Sequence, residues 1–477
     1  MMLSKPRRLH LLGILLRAIK LLKDFLLPLV LLFVTQILKR GYSLSWLMFT
    51  GTVIILVLLA WGLISWFRFT FRVENEVLVV EQGVLIHKRS VIPRERIQAI
   101  DLNQGVLHRL FNIVSVQVET AGGDKPEAVL YALSMSDAQL LRRRLLVSGV
   151  EEDRNYAGDA VALKRLSLKE LFLFGATSGG ALGLVLYLFS GAWTLLDDIG
   201  LELDLQRYLM WVWDYVNPVY LAAFIILVLW LLAVLGMILK YGDFTLTRSG
   251  DRIQMVYGLL QRRQVSIPVG RIRAVRLVEG VLRQPLGYFT VHLESAGYGP
   301  RSHEKTLFWP LVRKNELVFL LNKFLPEFAA EIPLQPLPPA AGRRYMLRGF
   351  IPAALLALPI FIWLPWGEPA LALLLPVLGG LWGFWKYKSA GWGVRGNMLA
   401  VRSRSVVRTT FVLPNRSAQS FSAECTPWQH RAGLMSFKMD LASQAIFGLD
   451  DVSSIDVQTL TNWFRRRKQS DIRLIED

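Results

Sequence analysis

Long uncharged apolar runs alternate with polar segments along this chain. Trp46 to Phe67 is a run of 22 residues without a charge, about 33 Å long as a helix at about 1.5 Å per residue, which is enough to cross the hydrocarbon of a bilayer. Five further runs share this apolar character: Phe25 to Leu38, Leu171 to Leu196, Tyr215 to Leu239, Phe350 to Trp366 and Pro369 to Trp385. The pattern predicts six membrane spans, arranged as three helical hairpins.

Lysine and arginine are concentrated at one side of these predicted hairpins. Basic clusters precede the first, third and fifth runs, and acidic residues fill the loop between the third and fourth. Basic flanks stay in the cytoplasm under the positive-inside rule, so we expect both termini to be cytoplasmic; Lys39 and Arg40 in the first loop are exceptions. The basic stripe within residues 1–23 fits either an interfacial amphipathic helix or a simple basic flank.

The polar segments are copies of one another. Residues 69–122 align without a gap on residues 244–297 at an offset of 175, with about a third of the positions identical. Both segments contain Ile-Pro-x-x-Arg-Ile-x-Ala, beginning at Ile92 and Ile267, then Gly-Val-Leu, and both end in Glu-x-Ala-Gly. A third copy aligns on the first at an offset of 321, with Pro414 on Pro93, but Arg404 and Ser417 replace a shared glycine and a shared arginine.

Each copy alternates apolar and polar residues in short runs separated by turn residues. This pattern is typical of half-buried antiparallel strands. Gly83 and Gly258 lie between two such runs, where a tight turn favours positive φ. An amphipathic helix ends each copy, as at Asp137 to Val147. We therefore expect about seven strands and one helix per copy.

These observations predict a fold class and a domain order. The predicted fold is a multi-pass α-helical membrane protein with six spans that carries three α+β domains of antiparallel strands and one C-terminal helix. The predicted segments are 1–68 (amphipathic helix and first hairpin), 69–150 (first domain), 151–240 (linker and second hairpin), 241–331 (second domain), 332–388 (Pro-rich linker and third hairpin) and 389–477 (divergent third domain). The linker prolines, Pro333, Pro336, Pro338 and Pro339, predict a semi-rigid spacer.

The first two copies follow the same order: a hairpin, short strands, a glycine, Pro-x-x-Arg-Ile-x-Ala, Gly-Val-Leu, Glu-x-Ala-Gly and a terminal helix. This order resembles the bacterial pleckstrin-homology-like (PH-like) domain of the YdbS/YdbT membrane-protein family, in its three-repeat form. The resemblance covers nearly the whole chain. It implies PH-like domains, an inner-membrane location and pairing with a smaller YdbS-like protein, without an established enzyme activity. Arg404 and Ser417 put a shared ligand site in the third copy in doubt.

Arginines near the repeated motif are candidates for binding a lipid or a partner. Arg94 and Arg96, and Arg271 and Arg273, are two residues apart, so each pair is predicted to project from one face of a strand. With Arg262 and Arg263 they would form a basic surface that attracts anionic headgroups by about 1 kcal/mol per residue. A solvated basic face and a protein-binding face are the alternatives.

The third apolar run contains glycines at every fourth position, Gly175, Gly179 and Gly183. Such spacing allows another helix to approach closely. Gly379 and Gly383 are a weaker version of the same pattern. We expect these glycines to pack helices within the protein or against a partner.

The composition favours a membrane protein and excludes several other classes. Hydrophobic residues make up 53% of the chain and charged residues 19%, with a net charge of +18 and one cysteine, Cys425. No nucleotide-binding, metalloprotease or hydrolase motif is present, and the six histidines show no metal-ligand spacing. We expect no enzyme activity, no cofactor and no metal. The basic charge is explained by topology, so we expect no nucleic-acid binding.

Two functions remain open at this stage. The first is a scaffold at the cytoplasmic face of the inner membrane, in envelope maintenance or antimicrobial tolerance, with a smaller PH-like membrane protein and possibly anionic lipid as partners. The second is a lipid-binding or lipid-translocating protein of the transporter class. Transport of an ion is disfavoured because the apolar runs lack internal ionisable residues.

Overall fold

The computed structural model describes residues 6–14, 44–84, 86–120, 126–146, 162–178, 218–295, 307–363, 370–441 and 445–476. The chain forms two compact units, Met1–Ser266 and Ile267–Asp477. The second sequence repeat contributes strands to both units. The repeats seen in the sequence are therefore not the structural units of the chain.

The first repeat forms two antiparallel sheets closed by a helix. Strands β1 (Thr70–Glu74), β2 (Val77–Gln82) and β3 (Lys88–Pro93) form a three-stranded sheet in chain order. Strands β4 (Ile97–Gln104), β5 (Ile113–Thr120) and β6 (Ala128–Ser134) pair in succession, with α2 (Val106–Leu110) after β4 and α3 (Met135–Leu146) after β6. The inward residues of both sheets and of α3 form one core that includes Leu78, Val116 and Leu141.

The described residues of this repeat form six strands, where about seven were expected. The apolar run from Val84 to Ile86 is not a strand, because its described residues lie in the turn between β2 and β3. Gly83 begins this turn with φ +114°, and a Cβ there would lie 1.9 Å from the carbonyl oxygen of Ile86. Gly258 has φ +105° in the equivalent turn. The predicted positive φ at both glycines is confirmed, and the tight turn is the reason that the apolar run is not a strand.

A seven-stranded sheet in the first unit joins strands of two repeats. Its order is β6-β5-β4-β10-β9-β8-β7. The added strands are β7 (Ala162–Arg165), β8 (Thr245–Ser249), β9 (Arg252–Tyr257) and β10 (Arg262–Pro268). The first repeat thus continues directly into the second by strand pairing.

The second unit contains the same arrangement. A seven-stranded sheet has the order β13-β12-β11-β17-β16-β15-β14, and a three-stranded sheet the order β18-β19-β20. The strands are β11 (Ile272–Glu279), β12 (Tyr288–Ser295), β13 (Leu307–Arg313), β14 (Gln335–Pro336), β15 (Gly391–Arg395), β16 (Met398–Arg404), β17 (Arg408–Pro414), β18 (Ala418–Glu424), β19 (Leu434–Leu441) and β20 (Ile446–Ser453). Helices α6 (Lys314–Phe324), α9 (Pro427–Arg431) and α10 (Ser454–Glu476) accompany them.

The core of the third repeat repeats the plan of the first. Leu399 and Leu413 from the seven-stranded sheet, Phe437 and Met439 from β19, and Leu460 from α10 pack together and are almost fully buried. The alternation of apolar residues in the sequence therefore predicts the inward faces of these strands correctly. The remaining helices are α1 (Leu44–Phe67), α4 (Leu168–Ala176), α5 (Pro218–Tyr241), α7 (Pro339–Trp363) and α8 (Ala370–Ser389).

The predicted fold class of a six-span helical membrane protein is wrong. Antiparallel strands form most of the described domains, and in the described residues one helical stretch, Ala223–Tyr241 within α5, is long and apolar enough to cross a membrane. An uncharged run need not be a helix of its own: α7 begins at Pro339 and carries three arginines before its apolar part. The predicted span Phe25 to Leu38, and residues 179–196 of the third, lie outside the described residues.

The Pro-rich linker packs on the third repeat, so its predicted role as a spacer is also wrong. Gln335 and Pro336 form the edge strand β14, opposite Trp392 and Gly391 of β15. Leu337 is 3% exposed. Proline is compatible with an edge strand because an edge leaves one row of backbone donors unused, which is why a proline-rich segment can be part of this sheet.

Candidate functional site

Two seams join consecutive repeats, and they are the main structural feature that the sequence did not reveal. In the first seam, β10 of the second repeat pairs antiparallel with β4 of the first, with Arg262 opposite Gln104 and Gln264 opposite Leu102. In the second seam, β17 of the third repeat pairs with β11 of the second, with Val412 opposite Val275 and Arg408 opposite Glu279.

Both seams have the same register. Arg262 aligns with Arg408, and Gln104 aligns with Glu279, at the repeat offsets found in the sequence. The structure places Arg262 opposite Gln104 and Arg408 opposite Glu279. The junction between repeats is therefore itself a repeated interface.

An ion pair closes the second seam. The Arg408 guanidinium donates to both carboxylate oxygens of Glu279, with Nε 2.8 Å from Oε1. The Glu279 side chain is 2% exposed and that of Arg408 is 25% exposed. Bidentate arginine–carboxylate geometry fixes the orientation as well as the separation of the two groups. This pair therefore fixes the register of the second and third repeats.

Other arginines of the third repeat lie close to this pair. Burial lowers the pKa of Arg402 and Arg404, and the positive charge of Arg408 lowers it further, while Glu279 opposes both effects. Arg402 also donates to Thr410 Oγ1 at 3.1 Å. The buried carboxylate of Glu279 thus offsets an excess of positive charge at the seam.

Arg94 and Arg96 do not share a strand face, which corrects that expectation. They lie in a 3-10 turn, because Pro93 ends β3 and the Ile97 N–H donates to the Arg94 carbonyl. Arg94 forms an ion pair with Glu76 at 2.5 Å, whereas Arg96 is exposed. The two side chains therefore do not form one binding face.

The arginines of the second repeat are also separated by secondary structure. Arg271 ends a 3-10 turn and Arg273 is the second residue of β11, so this pair does not project from one strand face either. Arg262 is exposed on β10, and its neighbour Arg263 is half-buried. Burial raises the pKa of Tyr257 to about 12, while Arg263 hydrogen-bonds this phenol and opposes the shift. The binding role of these six arginines stays a prediction.

A pocket of about 390 Å³ lies where the α7–α8 hairpin meets the third repeat. Four basic side chains line it: Arg348, Lys386, Arg404 and Lys438. The aromatic residues Tyr345, Trp382, Phe437 and Phe447 also line it, together with one acidic residue, Asp450. A basic pocket next to exposed apolar helices has the chemistry of an anionic lipid headgroup site.

Arg404 is held firmly at this pocket. Its Nε donates to Ser389 Oγ at 2.7 Å, and its guanidinium carbon lies 3.9 Å from the centre of the Trp385 ring. This arginine replaces the turn glycine of the other repeats, and β16 extends to include it. The departure from the repeat pattern therefore supplies a positive charge to the pocket.

A buried carboxylate attaches the hairpin to the third repeat. Asp451 is fully buried and lies 2.7 Å from Arg344 Nε and 2.9 Å from Arg348 Nη2. Gln429 Nε2 donates to the same carboxylate at 2.9 Å. Asp451 has φ +55°, which places this side chain through an unusual backbone conformation.

The closest helix contact at a glycine is not the one that the glycine spacing in the sequence suggested. Gly175 of α4 lies against α5, where an added Cβ would be 3.3 Å from Val234 Cγ1. Gly179 and Gly183 lie outside the described residues. The closer contact joins α7 to α8, where a Cβ on Gly349 would lie 2.0 Å from the Gly379 carbonyl oxygen. Gly349 was missed because its partner glycines lie on another helix.

Comparison with protein families agrees with this architecture. The model of the bacterial PH domain matches three segments of the chain, residues 22–147, 202–326 and 349–468. The chain belongs to the bacterial PH domain family. The three matched bacterial PH domains confirm the three repeats that were predicted from the sequence, including the divergent third copy.

The chain is similar to a known transmembrane protein along nearly its whole length. The UPF0699 transmembrane protein YdbT of Bacillus subtilis (strain 168) is 27% identical over 509 residues, which span 98% of this chain and 99% of the relative. This similarity confirms the resemblance to the three-repeat form of the family. The relative is called a transmembrane protein, which agrees with a membrane location for this bacterial PH domain protein.

Proposed function

We propose that this protein is a non-enzymatic scaffold of the bacterial inner membrane, with its bacterial PH domains at the cytoplasmic face. Its partner in this proposal is a smaller PH-like membrane protein, and its role is in envelope maintenance or antimicrobial tolerance. The proposal rests above all on the seams, where strand pairing in one register joins β4 to β10 and β11 to β17. Strand pairing of this kind is the means by which we expect the protein to hold a PH-like partner as well.

Purification of the tagged protein from its own membranes in mild detergent tests this function. We expect a stoichiometric smaller PH-like membrane protein to co-purify with the wild type. The variant Arg408→Glu, which places a second negative charge beside buried Glu279, should lose that partner through disruption of the seam. The charge-exchanged variant Glu279→Arg/Arg408→Glu restores opposite charges and should regain the partner. Recovery of the wild type without any such protein contradicts the scaffold role.

Binding of an anionic lipid is the second candidate function, and the basic pocket favours it. Arg404 and Lys386 contribute positive charge at the foot of the α7–α8 hairpin, where apolar side chains such as Phe350 and Leu347 are exposed. We expect the purified wild type to retain phosphatidylglycerol or cardiolipin in preference to zwitterionic lipid. The variant Lys386→Ala/Arg404→Ala should retain several-fold less, while Lys323→Ala, outside the pocket, should not change the lipid content. Equal anionic lipid content in all three proteins argues against this function.

A further inference from the structure

The seams leave one unused strand at each end of the series of repeats. By repeat alignment, β3 of the first repeat corresponds to β10 and β17, which are the strands that each later repeat contributes to a seam. In the same alignment, β18 of the third repeat corresponds to β4 and β11. In the described part of the chain, β3 and β18 are both outer strands of their three-stranded sheets.

Residues on these two strands are exposed where their counterparts in the seams are buried. Val91 of β3 is 55% exposed, whereas its counterpart Val412 in the second seam is 8% exposed. On β18, Ala423 and Glu424 are exposed, although Leu277, the counterpart of Ala423, is 8% exposed. Outer strands carry unused backbone donors and acceptors that can pair with another chain.

The register of the seams determines which residues would meet if β3 of one copy paired with β18 of another. Val275 lies opposite Val412 and Val278 lies opposite Thr409 in the second seam. Applied to the outer strands, this register places Phe421 opposite Val91 and Glu424 opposite Lys88. An apolar pair and a pair of opposite charges would thus face each other, and both kinds of cross-strand pair stabilise a sheet.

Charge also favours this pairing over the pairing of the same strand from two copies. Lys88 and Arg89 are exposed on β3, so two copies of β3 would bring like charges together. The Glu424 side chain is 62% exposed, and its contact with Lys438 at 3.3 Å is a surface ion pair that contributes little to stability. The basic residues Lys88 and Arg89 on β3 and the single carboxylate Glu424 on β18 therefore favour contact between unlike ends.

We propose that a second copy of this chain docks head to tail, with its β3 on β18 of the first copy, in the register of the internal seams. This contact is heterologous, so each added copy presents a new free edge. The inference rests on the proposed scaffold function, because it extends the joining of repeats within one chain to joining between chains.

Disulfide cross-linking between full-length chains in membranes tests this contact. Both chains carry Cys425→Ser, one also carries Val91→Cys with one tag, and the other carries Phe421→Cys with a second tag. Opposite residues of an antiparallel pair have Cα atoms about 4.5–5.5 Å apart, within the range that a disulfide spans. The adjacent pair, Ser90→Cys with Ser422→Cys, is tested in parallel because successive pairs alternate between hydrogen-bonded and non-hydrogen-bonded positions.

We expect mild oxidation of co-expressed chains to give a dimer that carries both tags, and neither chain alone to give one. Adding Lys88→Glu to the Val91→Cys chain should lower the yield about two- to fivefold, and adding Glu424→Lys to the Phe421→Cys chain should restore it. Absence of the mixed dimer at both pairs, or dimers of either chain alone, overturns the proposal. If the smaller PH-like protein still co-purifies in that case, the scaffold function survives and only the head-to-tail contact fails.

Discussion

Removal of Arg408 is the sharpest test of the seam between the second and third repeats. The change Arg408→Met leaves the Glu279 carboxylate, which is 2% exposed, without its charged partner. Breaking one side of a buried ion pair costs about 3–5 kcal/mol. Because Arg408 itself is 25% exposed, we expect a loss of about 3 kcal/mol, near the lower end of that range.

Two matched variants separate the charge from the contact. Glu279→Gln reproduces the glutamine–arginine pair that Gln104 and Arg262 form in the first seam, and it should cost about 1 kcal/mol, the net value of one hydrogen bond. Glu279→Met/Arg408→Met removes both charges and should return most of the lost stability, since a buried ion pair can be replaced by apolar residues at little cost.

Hydrogen–deuterium exchange of the purified protein measures this seam directly. A loss of about 3 kcal/mol accelerates exchange roughly 100-fold in peptides from β11 and β17 where local opening limits exchange. Peptides from β1 and β2, in the other unit, serve as the internal control. The reasoning is refuted if Arg408→Met accelerates exchange no more than Glu279→Gln, or if the double variant exchanges as fast as Arg408→Met.

Three further predictions concern the hairpin, its attachment and alkaline pH. Gly349→Ala places a Cβ 2.0 Å from a carbonyl oxygen of α8 and should lower the unfolding free energy in detergent by about 1–3 kcal/mol. Gly380→Ala should not lower it, because the nearest atom to its Cβ is 3.8 Å away. Equal effects of the two variants would contradict this packing. Asp451→Ala leaves Arg344 and Arg348 without their shared carboxylate and should cost about 3–5 kcal/mol of unfolding free energy in the same denaturation assay. Asp450→Ala, at an exposed position, should cost under about 1 kcal/mol. A small loss for Asp451→Ala would refute its anchoring role. Burial raises the pKa of Tyr257 to about 12, so this phenol ionises first in the unfolded chain. Its contribution to stability is complete well below pH 10 and falls by about 2–3 kcal/mol as the pH rises through 12. Tyr257→Phe should lack this part of the loss when unfolding is followed by near-ultraviolet circular dichroism at pH 9 and above 11, and an identical loss in both proteins would exclude Tyr257 as its source.

The arginine candidates show why residue spacing alone did not predict which side chains share a face. A separation of two residues implies a shared face only if both residues lie in one strand. Pro93 ends β3 before Arg94, and the following turn brings Arg94 to Glu76 instead of to Arg96. Charge along the chain is therefore a poor guide to charge on a surface when a turn lies between the residues.

The pocket and the clamp at the third repeat depend on contacts between distant segments. Asp451 was one acidic residue among many in the sequence, yet it is buried against Arg344 and Arg348, about a hundred positions earlier. A signal was present at Arg404, because a basic residue had replaced a turn glycine. Its role became apparent only when β16 and α8 brought it to Ser389 and Trp385.

The local and repeated features of this protein can be read from its amino-acid pattern: the three copies, the inward faces of their strands and the glycine turns at Gly83 and Gly258. These features depend on side-chain alternation and on the φ values that one residue can adopt. The pairing of β4 with β10 and of β11 with β17 is visible only in the folded chain. Strand pairing uses backbone groups that every residue except proline carries in full, so the partner of a strand depends on which edges the folded repeats bring together.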